Sequence, residues 1–410
     1  MRVLFLAPHP FYMDRGTPIA VDHVLTVLSE RGADVDVITF HEGRNIVHDH
    51  VTLHRIPAIP FVHGLRPGFS WKKVVCDGMM AVMTLFMAIG YDYDVVHAVE
   101  ESVYIAVVLK WITGLPYVYD MDSSVAFQMV EKYPWLSPVR RLLLWCERLA
   151  VRNAAAVAPV CEALAAGIVD YEPAKVVQIH DVPLLEPRSA TVGDLRKALG
   201  IDGIVCMYVG NLEAYQGIDL LLESFALLVK ATADVHLVIV GGEAADIQKY
   251  RKQAEALTMG TRVHFMGPRP ISELSDLLSQ SDILVSPRIR GINTPMKLYS
   301  YLASGKAVVA TDLATHTQIL DSTVAMLSPP APDRFAAAML DLIENPALRE
   351  RIGRAGQRLI QEKYTYTDFR ERVNGLYDWL EQQHVQTSPA PSLSRSREDK
   401  AARDSGKIRP

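Results

Sequence analysis

Arg288, Arg290 and Lys297 bracket a short segment, Gly291-Ile-Asn-Thr-Pro-Met-Lys297, in which Asn293, Thr294 and Pro295 read as the opening of a helix. Threonine is a good N-cap and proline suits the first helical position. Free backbone N–H groups and the positive end of the helix dipole favour an anion there, and guanidinium forks match phosphate oxygens. Such a segment predicts a diphosphate cradle. Two other loops join a strand to a helix. In Gly210-Asn-Leu-Glu-Ala-Tyr-Gln-Gly217, two glycines bracket Asn211 and Gln216, and in Arg15-Gly-Thr-Pro18 the missing Cβ of Gly16 allows close backbone approach. Two acid–base candidates stand out. Asp122, in Asp120-Met-Asp-Ser-Ser124, reads equally as a group that orients or deprotonates a hydroxyl and as a cap for the next helix. His97, in His97-Ala-Val-Glu-Glu101, titrates near neutrality, although a lone histidine after a strand is more often structural. His316 is expected to anchor backbone.

Positioning these residues requires two rounds of strand–helix alternation. Short apolar runs at 3–7, 35–39, 51–56, 95–98, 117–119 and 156–159 are separated by helical patterns, which predicts a parallel sheet with crossover helices. The pattern thins between Pro183 and Gly193, then resumes at 204–209, 236–240, 262–265, 283–286 and 307–310. The expected architecture is α/β, with two Rossmann-like, doubly wound domains facing each other across a cleft, and ligands beyond the carboxyl ends of the strands. We expect domains at 1–185 and 186–365, a late helix at 367–383 standing outside the second alternation (segment 366–384), and a disordered tail at 385–410, rich in Ser, Pro, Arg and Lys.

The 410-residue length suits two domains. A net charge of −5 argues against nucleic acid as a partner. Cys76, Cys146, Cys161 and Cys206 are scattered without metal-ligand spacing and read as buried thiols in a reducing, cytoplasmic compartment. The first apolar run is too brief for a secretory signal. The stretch 74–90 is interrupted by Asp77 and Gly78 and is expected to be a core-packed helix, while Trp71-Lys-Lys73 before it leaves room for peripheral membrane contact.

The three loops, with Val263-His-Phe-Met-Gly267 and Thr294-Pro-Met-Lys-Leu-Tyr-Ser-Tyr-Leu-Ala-Ser-Gly-Lys-Ala-Val-Val-Ala-Thr-Asp312, resemble the retaining, family-4 (group 1) glycosyltransferases of the GT-B fold across roughly the first 380 residues. The resemblance implies a nucleotide-sugar donor on the second domain and a glycan, lipid-linked or small-molecule acceptor on the first. It also implies no metal ion or other cofactor, and a late helix that crosses back to the first domain. Gly16 would approach the donor's phosphates or sugar, residues 263–267 would lie near the base, and the loop through Lys297 would hold sugar and diphosphate. The chain departs from the family at four charges. The Arg and Lys common in the second loop are Asn211 and Gln216, and the glutamate pair eight residues apart falls on Ile292 and Ser300. Asp122 occupies the place of a histidine. An altered donor site relying on Arg288, Arg290 and Lys297 is the favoured expectation; a GT-B protein that binds nucleotide or carbohydrate without turnover is the rival. A sugar-nucleotide epimerase would need more acid–base groups around the sugar. A nicotinamide oxidoreductase is disfavoured, because no G-x-G-x-x-G follows the first strand.

Overall fold

A computed structural model describes residues 1–65, 70–185, 192–232 and 234–387. The first sheet contains β1 (Arg2–Ala7), β2 (Asp34–Thr39), β3 (Val51–Arg55), β4 (Val95–Val99), β5 (Tyr117–Met121) and β6 (Ala156–Pro159), all parallel, in the order β3-β2-β1-β4-β5-β6. The second contains β7 (Ile204–Val209), β8 (Val235–Val240), β9 (Val263–Gly267), β10 (Ile283–Ser286), β11 (Ala307–Thr311) and β12 (Met326–Ser328), also parallel, in the order β12-β11-β10-β7-β8-β9. Both orders are doubly wound, as expected. The central strands are continuous apolar runs because helices cover both faces of each sheet, so there is no solvent side to carry alternate polar residues. β12 went unrecognised because three residues carry too little pattern.

One face of the first sheet is covered by α1 (Gly16–Glu30) and by the C-terminal helix Tyr366–Thr387, which buries Phe369, Val373, Leu376, Tyr377 and Leu380 there. The other is covered by α2 (Trp71–Gly90), α3 (Val103–Thr113) and α5 (Arg140–Asn153), with α4 (Val125–Lys132) packed on α5. Two expectations need correction. The C-terminal helix continues to Thr387, so 385–387 are helical; the rest of the expected tail, 388–410, and residues 186–191 of the thin stretch lie outside the described residues. α2 is not core-packed all round. Only Cys76, Met80, Thr84 and Met87 are buried, because a helix lying on a sheet presents one stripe to it, and the opposite side remains open. Cys146 is half-buried rather than buried, and all four thiols are free.

The carboxyl ends of the two sheets meet. Arg15, after β1, pairs with Glu243, after β8, at 3.4 Å. The Gln318 side chain accepts from Ala163 N–H, after β6, at 2.8 Å, and donates to the Ile292 carbonyl at 2.8 Å. The loop that begins at Gly291 therefore lies at the junction between the halves.

Candidate functional site

The second domain's side of the site is built on β7 and β10. After β7 the chain turns at Gly210 and runs through Asn211 to a short 3-10 turn, Ala214–Gln216, before the helix Ile218–Ala231. Gly210 has φ +150°, and a Cβ there would come within 2.8 Å of the Lys297 Nζ, so only glycine lets the ammonium lie against the backbone. Lys297 Nζ donates to Gln216 Oε1 at 3.0 Å and sits 4.0 Å from the centroid of the Tyr208 ring. No carboxylate among the described residues pairs with it. Burial, and then repulsion from Arg288, hold its pKa well below the usual lysine value. An anion placed beside it would favour its charged form.

Arg288 does something other than expected. Its guanidinium is buried and turned back on its own loop, donating to the Arg290 carbonyl at 2.7 Å, the Asn293 carbonyl at 3.2 Å and Asn293 Oδ1 at 2.9 Å, with Tyr215 stacked 5.2 Å away. Arg288 and Asn293 thus brace the loop instead of reaching outward. Gly291 makes this possible, since a Cβ at its φ of +112° would lie 2.2 Å from the guanidinium. Arg290 is exposed at the rim. The expected cationic trio therefore separates into one inward cation, one brace and one rim residue.

The expected cap is also revised. The helix begins at Lys297, not at Thr294, and spans only Lys297–Ala303, with Met296 at the cap position and no side-chain cap. Turns from Leu298 N–H to the Pro295 carbonyl and from Tyr299 N–H to the Met296 carbonyl tighten the entry. Thr294 and Pro295 are buried beneath it. Ser300 does not face the donor loop, because its hydroxyl accepts from Leu184 N–H at 3.0 Å and holds the chain that links the halves. Ile292 packs against the first domain's core. Asn211 lies exposed in the β7 loop, with its side-chain oxygen accepting from Glu213 N–H.

On the first domain, α1 begins beside Arg15, which pairs with Glu243 of the second. Gly16 opens the helix with free space where a Cβ would be. Beyond it lies a group of carboxyls at the ends of β4 and β5. Asp122 does not cap α4; Ser124 does, accepting from Phe127 N–H. The Asp122 carboxyl instead takes a hydrogen bond from Thr17. Its pKa is driven well above the carboxylate range by burial and by Asp120, Glu100 and Asp181. Burial and the neighbouring carboxyls thus favour its protonated form, while the Thr17 hydrogen bond works the other way. Glu100 and Asp181 are each pushed up to about 7, mainly by burial.

His97 is corrected outright. It is fully buried, stacked at 4.4 Å on Phe5, with Nδ1 2.8 Å from the Tyr377 hydroxyl and Nε2 3.1 Å from Asp120 Oδ2. It positions Asp120 and touches no open space. His316 is buried against Ser286 and Thr311, the anchoring role expected of it. Sequence reasoning missed Glu100. Its signal is a left-handed backbone at φ +48°, an uncommon conformation for glutamate that residue order does not reveal.

Similarity to known proteins agrees with this geometry. Residues 193–359 match the model for glycosyl transferases group 1, and residues 15–184 match a glycosyl transferase 4-like domain. The chain is 27% identical over 204 residues to the phosphatidyl-myo-inositol mannosyltransferase of Mycobacterium tuberculosis, covering 47% of this chain and 53% of that protein. It thus spans about half the length of that relative. It is 23% identical to the D-inositol 3-phosphate glycosyltransferase of Corynebacterium glutamicum, over 86% of this chain and 91% of the other. In fold it is similar to HepE of Anabaena in complex with UDP-glucose, with a TM-score of 0.72 at 16% identity, over 92% of this chain and all of that one. Two matched halves, two doubly wound sheets and a cradle at their junction together place the chain in the group 1, family-4 glycosyltransferases of the GT-B fold.

Proposed function

We propose that the chain moves a hexosyl unit from a nucleotide-diphosphate sugar to a glycan, lipid-linked or small-molecule acceptor, without a metal ion and with retention of configuration. The observation that supports this most is the buried Lys297 amine against Gly210, which bonds Gln216 and has no carboxylate partner among the described residues. A diphosphate seated there receives a charge-assisted hydrogen bond from Lys297, and that bond strengthens as the departing nucleotide gains negative charge. Arg288 and Asn293 keep the loop in place, Arg290 adds charge at the rim, and the buried Asp122 carboxyl orients a hydroxyl of the sugar or acceptor. Relatives of this chain are named for transfer to inositol-containing acceptors, and a structural neighbour holds UDP-glucose, which supports a nucleotide-sugar donor. A cytoplasmic location goes with this reading, since all four thiols are unpaired.

The test is calorimetric titration with UDP-, GDP- and ADP-sugars, followed by an assay for slow donor hydrolysis. Binding of one nucleotide class with hydrolysis supports transfer; failure to bind any of the three overturns it. Binding without turnover would favour the non-catalytic reading, which the four absent family charges make the serious rival.

A further inference from the structure

Four of the chain's five tryptophans stand exposed on one side of the first domain: Trp71 at 63%, Trp111 at 62%, Trp135 at 75% and Trp145 at 57%. They come from α2, α3, the 3-10 turn Pro134–Val139 and α5, elements that pack side by side over the same face of the sheet. Phe86 and Ile89 on α2 and Ile112 on α3 lie open beside them. A soluble monomer rarely leaves apolar groups contiguous over so many elements without something to cover them.

From this we infer that the face docks on the surface of an anionic lipid bilayer. Three features favour lipid over a protein partner or a second copy. Indole rings are enriched at the headgroup level, where one edge is apolar and the other wet, and here they are spread across the face instead of gathered in a single anchor pocket. α5 carries Arg140, Arg141 and Arg148 on its exposed side, with Arg152 paired to Glu172, while its one acid, Glu147, is buried and taken up by Ser124 and Ala126 N–H. In a chain of net charge −5 that local excess of cations reverses the overall sign and suits anionic headgroups. Finally, α2 is long and apolar enough to cross a bilayer, yet its inner stripe is fixed in the core by Cys76 and Met80, so it lies on a membrane and does not span one. The face also reaches the site. One turn into α2, Lys73 pairs with Glu101, the residue after Glu100 at the cleft end of β4. If transfer is the activity, docking here brings a lipid-linked acceptor to the cleft mouth.

The experiment is vesicle co-sedimentation of the full chain, with phosphatidylcholine alone and with phosphatidylglycerol added, together with tryptophan emission. The expected result is binding to the anionic vesicles with a blue shift, weakened by salt, and little binding to phosphatidylcholine. Trp135→Ser/Trp145→Ser and Arg140→Glu/Arg141→Glu should each lower partitioning by about tenfold or more. Circular dichroism and nucleotide titration in solution show whether these variants remain folded. Absence of binding to both vesicle types, or variants that bind like the parent, would overturn the proposal. So would a dimer in sedimentation velocity that the tryptophan variant dissociates, since a second copy would then cover the face. Nucleotide binding is read separately, so failure of the docking surface and failure of the transferase reading remain distinguishable.

Discussion

At the scale of single residues, the proposed cradle depends on Lys297 being buried and without a carboxylate partner among the described residues. Burial and Arg288 depress its pKa, and a diphosphate bound there would raise it. Binding should therefore take up a proton, and affinity should fall as pH rises above the depressed value. Titrations in buffers of different ionisation enthalpy check this, and equal heats would argue against it. Lys297→Met should weaken diphosphate binding by about 1.5–3 kcal/mol, the worth of a hydrogen bond from a charged group. Its thermal midpoint should change little, because loss of the hydrogen bond to Gln216 and of the Tyr208 contact is offset by removal of a buried amine whose charge is costly to hold there. The carboxyl group opposite has the reverse sign. Asp181, with its pKa raised to about 7, binds a proton more tightly folded than unfolded, so its contribution to stability falls as pH rises from 3.8 to about 7. Asp181→Asn should raise the thermal midpoint at pH values above that window, and the gain should shrink on acidification and disappear below 3.8. A gain independent of pH would mean that the group is not titrating as described. The residues of the cradle were legible in the sequence as types: glycines, a lysine, an arginine. Their directions were not, because whether a guanidinium faces ligand or its own loop depends on a turn geometry that only the folded chain defines, as Arg288 shows.

At the scale of elements, the C-terminal helix is the informative case. Its side chains Val373, Leu376 and Tyr377 complete the core under β1 and β4, and the Tyr377 hydroxyl reaches the His97 ring. Tyr377→Phe leaves that buried ring nitrogen unpartnered and should cost about 1–3 kcal/mol in denaturant unfolding. Because His97 holds Asp120 at 3.1 Å, the same variant should alter the pH dependence of turnover more than the affinity for nucleotide. An unchanged pH profile would limit the tyrosine to packing. The short helix Lys297–Ala303 teaches a complementary point. Thr294-Pro295 carries every local sign of a helix start, yet tertiary packing buries both residues and delays the helix to Lys297.

At the scale of the whole molecule, the two halves meet through polar contacts, Arg15 to Glu243, Gln318 to Ala163 and Ser300 to Leu184, with Ile292 packed against the first core and His180 against Tyr299. Such a junction permits adjustment when ligand arrives. Ending the chain after Thr387 should leave nucleotide affinity within about twofold, since packing of the C-terminal helix on the first domain comes from residues 369–380. An effect as large as that of Lys297→Met would contradict the placement of the site. The alternation of apolar runs by itself determined two parallel sheets, the positions of their strands apart from β12, and the loops proposed for a ligand, because hydrophobic period and glycine placement are local signals. What only the tertiary structure decided was orientation and burial: that His97 is a core residue, that Ser300 serves the linker, that Arg288 braces its loop, and that α2 leaves an apolar side open. Those outcomes depend on which residues distant in sequence become neighbours, so they emerge only when the chain closes on itself.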